Sequence, residues 1–288
     1  MESVLVLIAA PGSGAIGAKT IALLRDHGAA APRWLAEGEA LEVPDFAGRA
    51  DFLGAIAALP LDANLVPMAN RRKRLLIADM DSTMIEQECI DELGVMAGIG
   101  DHIKAITARA MKGELDFEGA LKERVKLLKG LDAGIIGTIL RERISFMPGG
   151  RTLLATMKAN GAYAALVSGG FTPFTSQVAA ALGFDEHQAN ELIVADGVLT
   201  GEVGYPILGQ QAKRDALRRI SARLGIATAD ALAVGDGAND LAMIGEAGMG
   251  VALHAKPQVQ AEARYRVNHG DLTALLYLQG YEKTAFAG

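Results

Sequence analysis

Cysteine is almost absent from this chain: Cys89 is the only one in 288 residues. That excludes an intrachain disulfide and a cysteine-rich zinc site, and in its helical-looking stretch beside Glu88 and Ile90 the thiol reads as small packing. The five histidines, His27, His102, His187, His254 and His269, never fall within one helical turn of each other, so no sequence-local histidine metal motif is present. No apolar stretch approaches the roughly 20 residues of a membrane span. Met1-Glu2-Ser3 lacks the basic region and cleavage pattern of a secretory leader, so cytoplasmic residence without a membrane partner is expected. Positive charge is also scarce: 28 Lys and Arg against 34 Asp and Glu give a net charge of -6, which argues against nucleic acid as a partner, because phosphate backbones are held by basic clusters. The one basic run, Arg71-Arg72-Lys73-Arg74, stands directly before an apolar strand and reads as a solvated linker flank. Oligomeric state is not legible, and a homodimer is left open.

Apolar residues are plentiful at 50%, enough for one large domain or two ordinary ones. Residues 4–10 read as a buried strand, 15–26 as a helix stopped by His27-Gly28, 32–35 and 41–43 as short strands, 46–59 as a helix and 64–68 as a strand. This β-α-β-β-α-β order predicts a small α+β module over residues 1–70. In the order of its elements it resembles the amino-acid-binding ACT modules, which implies a regulatory role. Within it, Gly12-Ser13-Gly14-Ala15-Ile16-Gly17 matches G-x-G-x-x-G, follows a strand, opens a helix and has Glu37 where a ribose-binding acid could sit. A dinucleotide site needs two mononucleotide halves, and too little chain remains before a different strand system begins, so a nicotinamide cofactor is rejected.

From Leu75 the pattern changes. After the apolar run Leu75-Leu76-Ile77-Ala78 comes a helical region, about 86 to 145, with periodic apolar positions such as Ile90, Leu93, Leu121 and Val125 and breaks at Gly98-Ile99-Gly100 and Gly130-Leu131-Asp132. Beyond Pro148-Gly149-Gly150, helix and strand alternate: helix 151–159, strand 162–167, helix 172–182, strand-like segments near 192–208, helix 212–224, strand 231–234, helix 239–246 and strand 249–252. Such alternation predicts a three-layer, Rossmann-like parallel sheet with helices on both faces, over residues 71–87 and 146–288, carrying a helical cap over 88–145.

Ligands of an open parallel sheet bind beyond the carboxyl ends of its strands. The residues at those ends form a set. Asp79 and Asp81 follow the first strand, Ser168-Gly169-Gly170 the second, and Gly235-Asp236-Gly237-Ala238-Asn239-Asp240 a third, while Lys213 opens an intervening helix. Alone, each has a bland explanation as a turn, a helix cap or a surface lysine. Together they suit phosphoryl transfer, which requires positioning and neutralising negatively charged oxygens. Positions i and i+2 of an extended chain share a side, so Asp79 can attack phosphorus while Asp81 handles the proton of the leaving oxygen. Asp79 and Asp236, with a backbone carbonyl, offer the hard oxygens Mg²⁺ prefers. Ser168 and the Gly169 amide can donate to a phosphate oxygen, and Lys213 adds a point charge.

These four blocks, between about Lys73 and Leu276, resemble the signature motifs of the haloacid dehalogenase superfamily of aspartate-nucleophile phosphatases, and more particularly its branch acting on O-phospho-L-serine. The resemblance implies that Asp79 becomes an aspartyl-phosphate. It implies that Asp81 protonates the leaving serine oxygen, later activates water, and joins Asp79 and Asp236 at the metal through its backbone. It also implies that Ser168, Gly169, Lys213 and Asn239 hold the phosphate end, that Glu88 and Arg124 of the cap hold the ammonium and carboxylate, and that Met111 and Phe117 pack around the substrate. Opposite charges suit a zwitterion, and Arg grips a carboxylate bidentately; by charge alone Glu86 and Arg143 are rivals. The expected function is Mg²⁺-dependent release of L-serine and phosphate, the last step of serine biosynthesis. A phosphotransferase, a phosphatase for another small ester and an amino-acid-sensing regulatory protein are the alternatives.

Overall fold

The computed structural model describes residues 2–46, 49–111 and 114–288. The head of the chain folds as β1 (Ser3–Ala9), α1 (Ala18–Asp26), β2 (Arg33–Ala36), β3 (Ala40–Pro44), α2 (Arg49–Ile56) and β4 (Leu61–Pro67), the order expected from the sequence. The first helix starts three residues later than its apolar spacing suggests, because Gly12 and Gly14 adopt left-handed φ of 70° and 63° and keep the preceding loop non-helical. Ala47 and Gly48, inside the helix expected over 46–59, lie outside the described residues. Strand β1 is apolar on both sides, as a central strand covered on both faces must be. It lies between β3 and β4 in an antiparallel sheet of order β2-β3-β1-β4. Leu5, Leu7 and Ala9 pack under α1 and α2, while Val4, Val6 and Ile8 face the other way and merge with the core of the rest of the protein.

That larger body begins with β5 (Leu75–Ala78). The chain then leaves the sheet for α3 (Cys89–Met96), α4 (Gly100–Met111), α5 (Phe117–Lys126) and α6 (Ile135–Glu142). It returns through α7 (Gly150–Ala159), β6 (Tyr163–Phe171), α8 (Thr172–Leu182) and β7 (Glu186–Asn190). A hairpin, β8 (Leu192–Ala195) and β9 (Val198–Val203), reaches up to the cap, followed by α9 (Gln210–Leu224), β10 (Ala231–Gly235), α10 (Leu241–Glu246), β11 (Met249–Leu253), α11 (Pro257–Glu262), β12 (Tyr265–Val267) and α12 (Ala274–Leu278). Among the described residues six parallel strands pair in the order β12-β11-β10-β5-β6-β7. Leu76 and Ala78 of β5 join the core beneath α7, α8 and α12, and Leu75 and Ile77 pack against α9 and α10. The three-layer α/β arrangement is therefore the expected one. Strand β7 was not expected, because its sequence Glu-His-Gln-Ala-Asn is that of a half-exposed sheet edge rather than an apolar run.

The basic run needs correcting. Arg71 and Lys73 are only 9% and 8% exposed, not solvated. The Arg71 guanidinium donates to Glu42 Oε2 at 2.6 Å and to the carbonyls of Leu278 and Tyr277 at 2.7 and 3.1 Å. Those carbonyls belong to the last turn of α12, where unsatisfied oxygens and the helix dipole favour a cation. Lys73 Nζ donates to the carbonyls of Asn70 and Ala229, each at 2.7 Å.

A second polar junction joins the two sheets edge to edge. The Asn64 side chain of β4 bonds both backbone groups of Arg266 in β12, its Nδ2 to the carbonyl at 2.8 Å and its Oδ1 from the N–H at 2.9 Å, copying the pairing a neighbouring strand would make. Asp62 accepts the N–H groups of Asn268, His269 and Gly270 at 2.7, 2.9 and 2.8 Å. Each edge thereby covers the other.

Arg71→Ala leaves buried Glu42 with the half-exposed Arg33 as its remaining cation and takes the donor away from the carbonyls of Leu278 and Tyr277. Denaturant unfolding is expected to show a loss of about 3 kcal/mol or more, whereas substitution of the more exposed neighbour Arg72 changes stability by less than about 1 kcal/mol.

Candidate active site

Strand order reverses between β5 and β10: from β5 the chain moves outward through β6 and β7, then crosses to β10, β11 and β12 on the other side. Loops diverge at such a point and leave a crevice beyond the carboxyl ends. Asp79 and Asp236 are the residues immediately after these two strands. The Asp79 N–H donates to the Val234 carbonyl at 3.0 Å, so the pairing of β5 with β10 extends one residue further and holds the two acids side by side.

Lys213, in the first turn of α9, lies beneath them and is 1% exposed. Its ammonium sits 2.7 Å from Asp79 Oδ1 and 2.6 Å from Asp240 Oδ1. Asp79 Oδ1 also accepts the Met80 N–H at 2.7 Å, so both donors fix one oxygen and leave Oδ2 free of them. Asp240 is fixed on its other side by the Gly237 N–H at 3.0 Å. Gly235 is required there, since a Cβ would lie 2.3 Å from Asp240 Cγ. Asp79, Asp236 and Asp240 present carboxylate oxygens within 4.8 Å of one another. Burial opposes the charge on Lys213, but Asp240 and Asp79 outweigh it and hold its pKa above the ordinary value. Burial and the charge of Asp79 raise the pKa of Asp236, and the same two causes push Asp240 up to about 7 against the pull of Lys213. Hard, crowded oxygens whose charges are incompletely balanced fit a divalent cation.

Asp81 faces the same crevice. Its Oδ1 accepts the Cys89 N–H at the start of α3, at 2.9 Å, and its Oδ2 lies 3.4 Å from Ser168 Oγ. Burial pushes its pKa up to about 6, the Cys89 hydrogen bond opposing and Asp79 adding. Ser168 Oγ accepts the Gly170 N–H at 2.8 Å. Gly170 has no room for a side chain, because a Cβ would stand 2.7 Å from Asp81 Oδ2.

From the cap, Glu88 precedes α3 and takes a hydrogen bond from Ser82 Oγ at 2.8 Å, with Ser82 at a left-handed φ of 54°. Burial, then the Asp81 charge, raises its pKa to about 8. Arg124 in α5 is steadied by the Ala120 carbonyl at 3.2 Å and by Thr107 Oγ1 at 3.4 Å. Burial lowers its pKa, opposed by Asp91, Glu88 and Asp81. A cavity of about 840 Å³ is lined by Asp79, Asp81, Glu88, Arg124, Ser168, Gly169, Asp236 and Asn239. The structure thus brings Asp79, Asp81, Glu88, Arg124, Ser168, Gly169, Asp236 and Asn239 together, with Lys213 forming part of the floor. Glu86 and Arg143 are engaged elsewhere, with Ser145 and Glu92. Phe117 fits a slot between Gly169 and Gly209, where a Cβ on either glycine would come within 3.0 or 3.1 Å of its ring. The Met111 side chain lies outside the described residues.

Four contributors escaped sequence reasoning: Asp240 as a carboxylate held by Lys213, Thr107 behind Arg124, Ser82 behind Glu88, and Lys256, whose Nζ lies 3.7 Å from Asp236 Oδ2. Lys256 carried a usable signal, since it lies just past the carboxyl end of β11.

Carboxylates at the switch point of a parallel sheet, floored by a buried lysine and roofed by helices, define an α/β enzyme suited to charged substrates. Residues 76–245 match the model of the haloacid dehalogenase-like hydrolases, and the chain belongs to that family. It is 44% identical over 226 residues to a phosphoserine phosphatase of Streptomyces coelicolor, a match covering 78% of this chain and 55% of that protein. With a phosphoserine phosphatase of Haemophilus influenzae it shares 46% identity over 204 residues, covering 71% of this chain and 65% of the relative. The chain thus spans less than two thirds of the length of these two relatives. A solved structure of a haloacid dehalogenase family hydrolase from Salmonella enterica serovar Typhi superposes with a TM-score of 0.86 at 30% identity, covering 96% of this chain and 98% of that one, so the likeness includes the N-terminal sheet.

The raised carboxyl groups set the pH dependence of the metal-free chain. Glu88 moves from an ordinary 4.5 to about 8 and Asp81 from 3.8 to about 6, so the folded state binds protons that the unfolded state has released. Their stabilising contribution is complete below about pH 4 and is lost as pH rises toward 8. Melting temperature in a chelator is expected to fall between about pH 5 and pH 8, and Glu88→Gln is expected to flatten that fall; a rising profile would contradict the assignment.

Proposed function

We propose that the chain is a Mg²⁺-dependent, cytoplasmic phosphatase that converts O-phospho-L-serine and water to L-serine and phosphate. The observation that carries this is the meeting in one cavity of the Asp79/Asp81 pair with Glu88 and Arg124, groups complementary to the two ends of a phosphorylated amino acid. Residues 1–70, 71–87 with 146–288, and 88–145 serve in this proposal as an accessory module, the catalytic core and the substrate-selecting cap.

Asp79 Oδ2, the oxygen not held by Lys213 and Met80, attacks phosphorus in line with the ester oxygen. The phosphorus–oxygen bond to serine breaks, and the leaving oxygen takes the Asp81 proton. The resulting Asp81 carboxylate then removes a proton from water, whose oxygen attacks the aspartyl-phosphate and frees Asp79. A pKa near 6 suits Asp81 to both proton transfers near neutrality. Ser168 Oγ, the Gly169 amide and Asn239 orient the phosphate oxygens, while Lys213 holds the Asp79 carboxylate in its rotation. Asp79, Asp236 and the Asp81 backbone carbonyl would hold Mg²⁺, with Asp240 orienting Lys213 beside them. When bound, Mg²⁺ neutralises the charge between carboxylate and phosphate.

In steady-state assays, Asp79→Asn is expected to abolish turnover and to trap no phosphoenzyme, whereas substantial residual turnover would remove its role as nucleophile. Arg124→Ala is expected to raise KM for phosphoserine by about tenfold or more, the value of a charged hydrogen bond, and to leave KM for an aryl phosphate nearly unchanged. Equal effects on both substrates would refute the carboxylate contact.

A further inference from the structure

The N-terminal sheet touches the main body at several places, but one of its contacts continues to the site. Asp62, 4% exposed on β4, has both carboxylate oxygens occupied by the three consecutive N–H groups of Asn268, His269 and Gly270. The carbonyl of Gly270 in turn accepts the His254 imidazole N–H at 2.8 Å. The His254 backbone N–H donates to the Val267 carbonyl at 2.8 Å, and its φ is 43°, a left-handed conformation that a histidine holds only when its surroundings fix it. Two residues on, the Lys256 N–H donates to the Asp236 carbonyl at 3.2 Å, and its ammonium lies 3.7 Å from Asp236 Oδ2. An unbroken series of hydrogen bonds and short backbone steps thus connects the N-terminal sheet to an acid of the candidate metal site.

We infer that Asp62 is a positioning residue for Asp236, acting through the 268–270 turn and His254 to fix the 254–256 segment beside it. This rests on the metal-site assignment proposed above. Asn64 provides an internal contrast. It joins the same two strand edges but bonds Arg266, whose neighbour Val267 meets His254 at its backbone N–H, whereas Asp62 bonds the residue whose carbonyl holds the His254 imidazole. If the contact between modules merely stabilised the fold, losing either residue would act alike. If the hold on the His254 imidazole positions Asp236, the loss of Asp62 reaches the metal and the loss of Asn64 does not.

Asp62→Ala, His254→Ala, the double variant and Asn64→Ala are prepared in the full chain. Mn²⁺ binding is measured by calorimetry, kinetics against Mg²⁺ concentration, and folding by thermal melting. Asp62→Ala and His254→Ala are each expected to weaken Mn²⁺ binding by about fivefold or more and to raise the half-saturating Mg²⁺ in step, with kcat at saturating metal nearly kept. The double variant should be no worse than either single one, as expected for two links in the same series. Asn64→Ala should lower the melting temperature while leaving Mn²⁺ binding intact. Asp62→Asn, which keeps the shape and one accepting oxygen but replaces the other by an NH2, should fall between wild type and Asp62→Ala, and carries the comparison if the alanine variant does not fold. Unchanged Mn²⁺ binding in the Asp62 and His254 variants, additive losses in the double variant, or an equal loss in Asn64→Ala would overturn the inference. A wild-type chain that binds no Mn²⁺ would instead overturn the metal assignment and this inference with it.

Discussion

The buried ammonium of Lys213, shared between Asp79 and Asp240, is the interaction on which the site depends. It stands in the first turn of α9, where the helix dipole disfavours a cation, so its location makes sense only through the two carboxylates it meets. One side chain thereby ties together the end of β5, the start of α9 and the loop after β10. Its rigidity matters more than its charge alone. A carboxylate with one oxygen held by two donors has a defined second oxygen, and the in-line attack proposed for Asp79 needs that definition more than it needs basicity.

Around that fixed point the electrostatics are lopsided. Asp79, Asp81, Glu88 and Asp236 line one cavity, with Asp240 beneath them, while among the described residues Arg124 and Lys256 are the cations on its walls and Lys213 is already committed. A phosphate monoester would bring further negative charge into this space. Burial first, and neighbouring carboxylate charge after it, raise the carboxyl pKa values at Asp81, Glu88, Asp236 and Asp240. A divalent cation answers both needs, since it relieves the carboxylates and makes the approach of an anionic ester favourable. The metal proposed above thus suits the charge distribution as well as the oxygen donors.

The legible parts of the site follow one rule: polar residues immediately beyond apolar strands of a parallel sheet converge. Asp79, Ser168 and Asp236 obey it, and the short apolar runs before them marked the strands. Lys213 carried no signal alone and became visible only through its place between two such strands. Glu88 and Arg124 came from family resemblance, because helix-surface charges look the same whether or not they face a cavity. Arg71 and Lys73 misled, since their partners are carbonyls at the end of α12 and before β10, far away in sequence. Strand β7 escaped notice for a related reason: an edge strand need not be apolar, and its pairing is fixed by neighbours rather than by its own composition.

The same distinction bears on the N-terminal sheet. From the sequence it reads as a separable module, yet Val4, Val6, Ile8 and Val66 belong to the core that contains Leu275, Tyr277 and Tyr281. Glu39 accepts the Tyr277 hydroxyl at 2.8 Å, and Glu42 neutralises Arg71. Deleting the sheet would expose an apolar face, uncover the edge of β12 and leave Arg71 without its carboxylate, three independent reasons for instability. Loss of activity on truncation would then say nothing about regulation, because the folded body would itself be compromised. Influence from this sheet on the site can be separated from its structural role only by substitutions that leave the shared apolar core in place, and Asp62, which is buried but meets the main body through hydrogen bonds, is such a position.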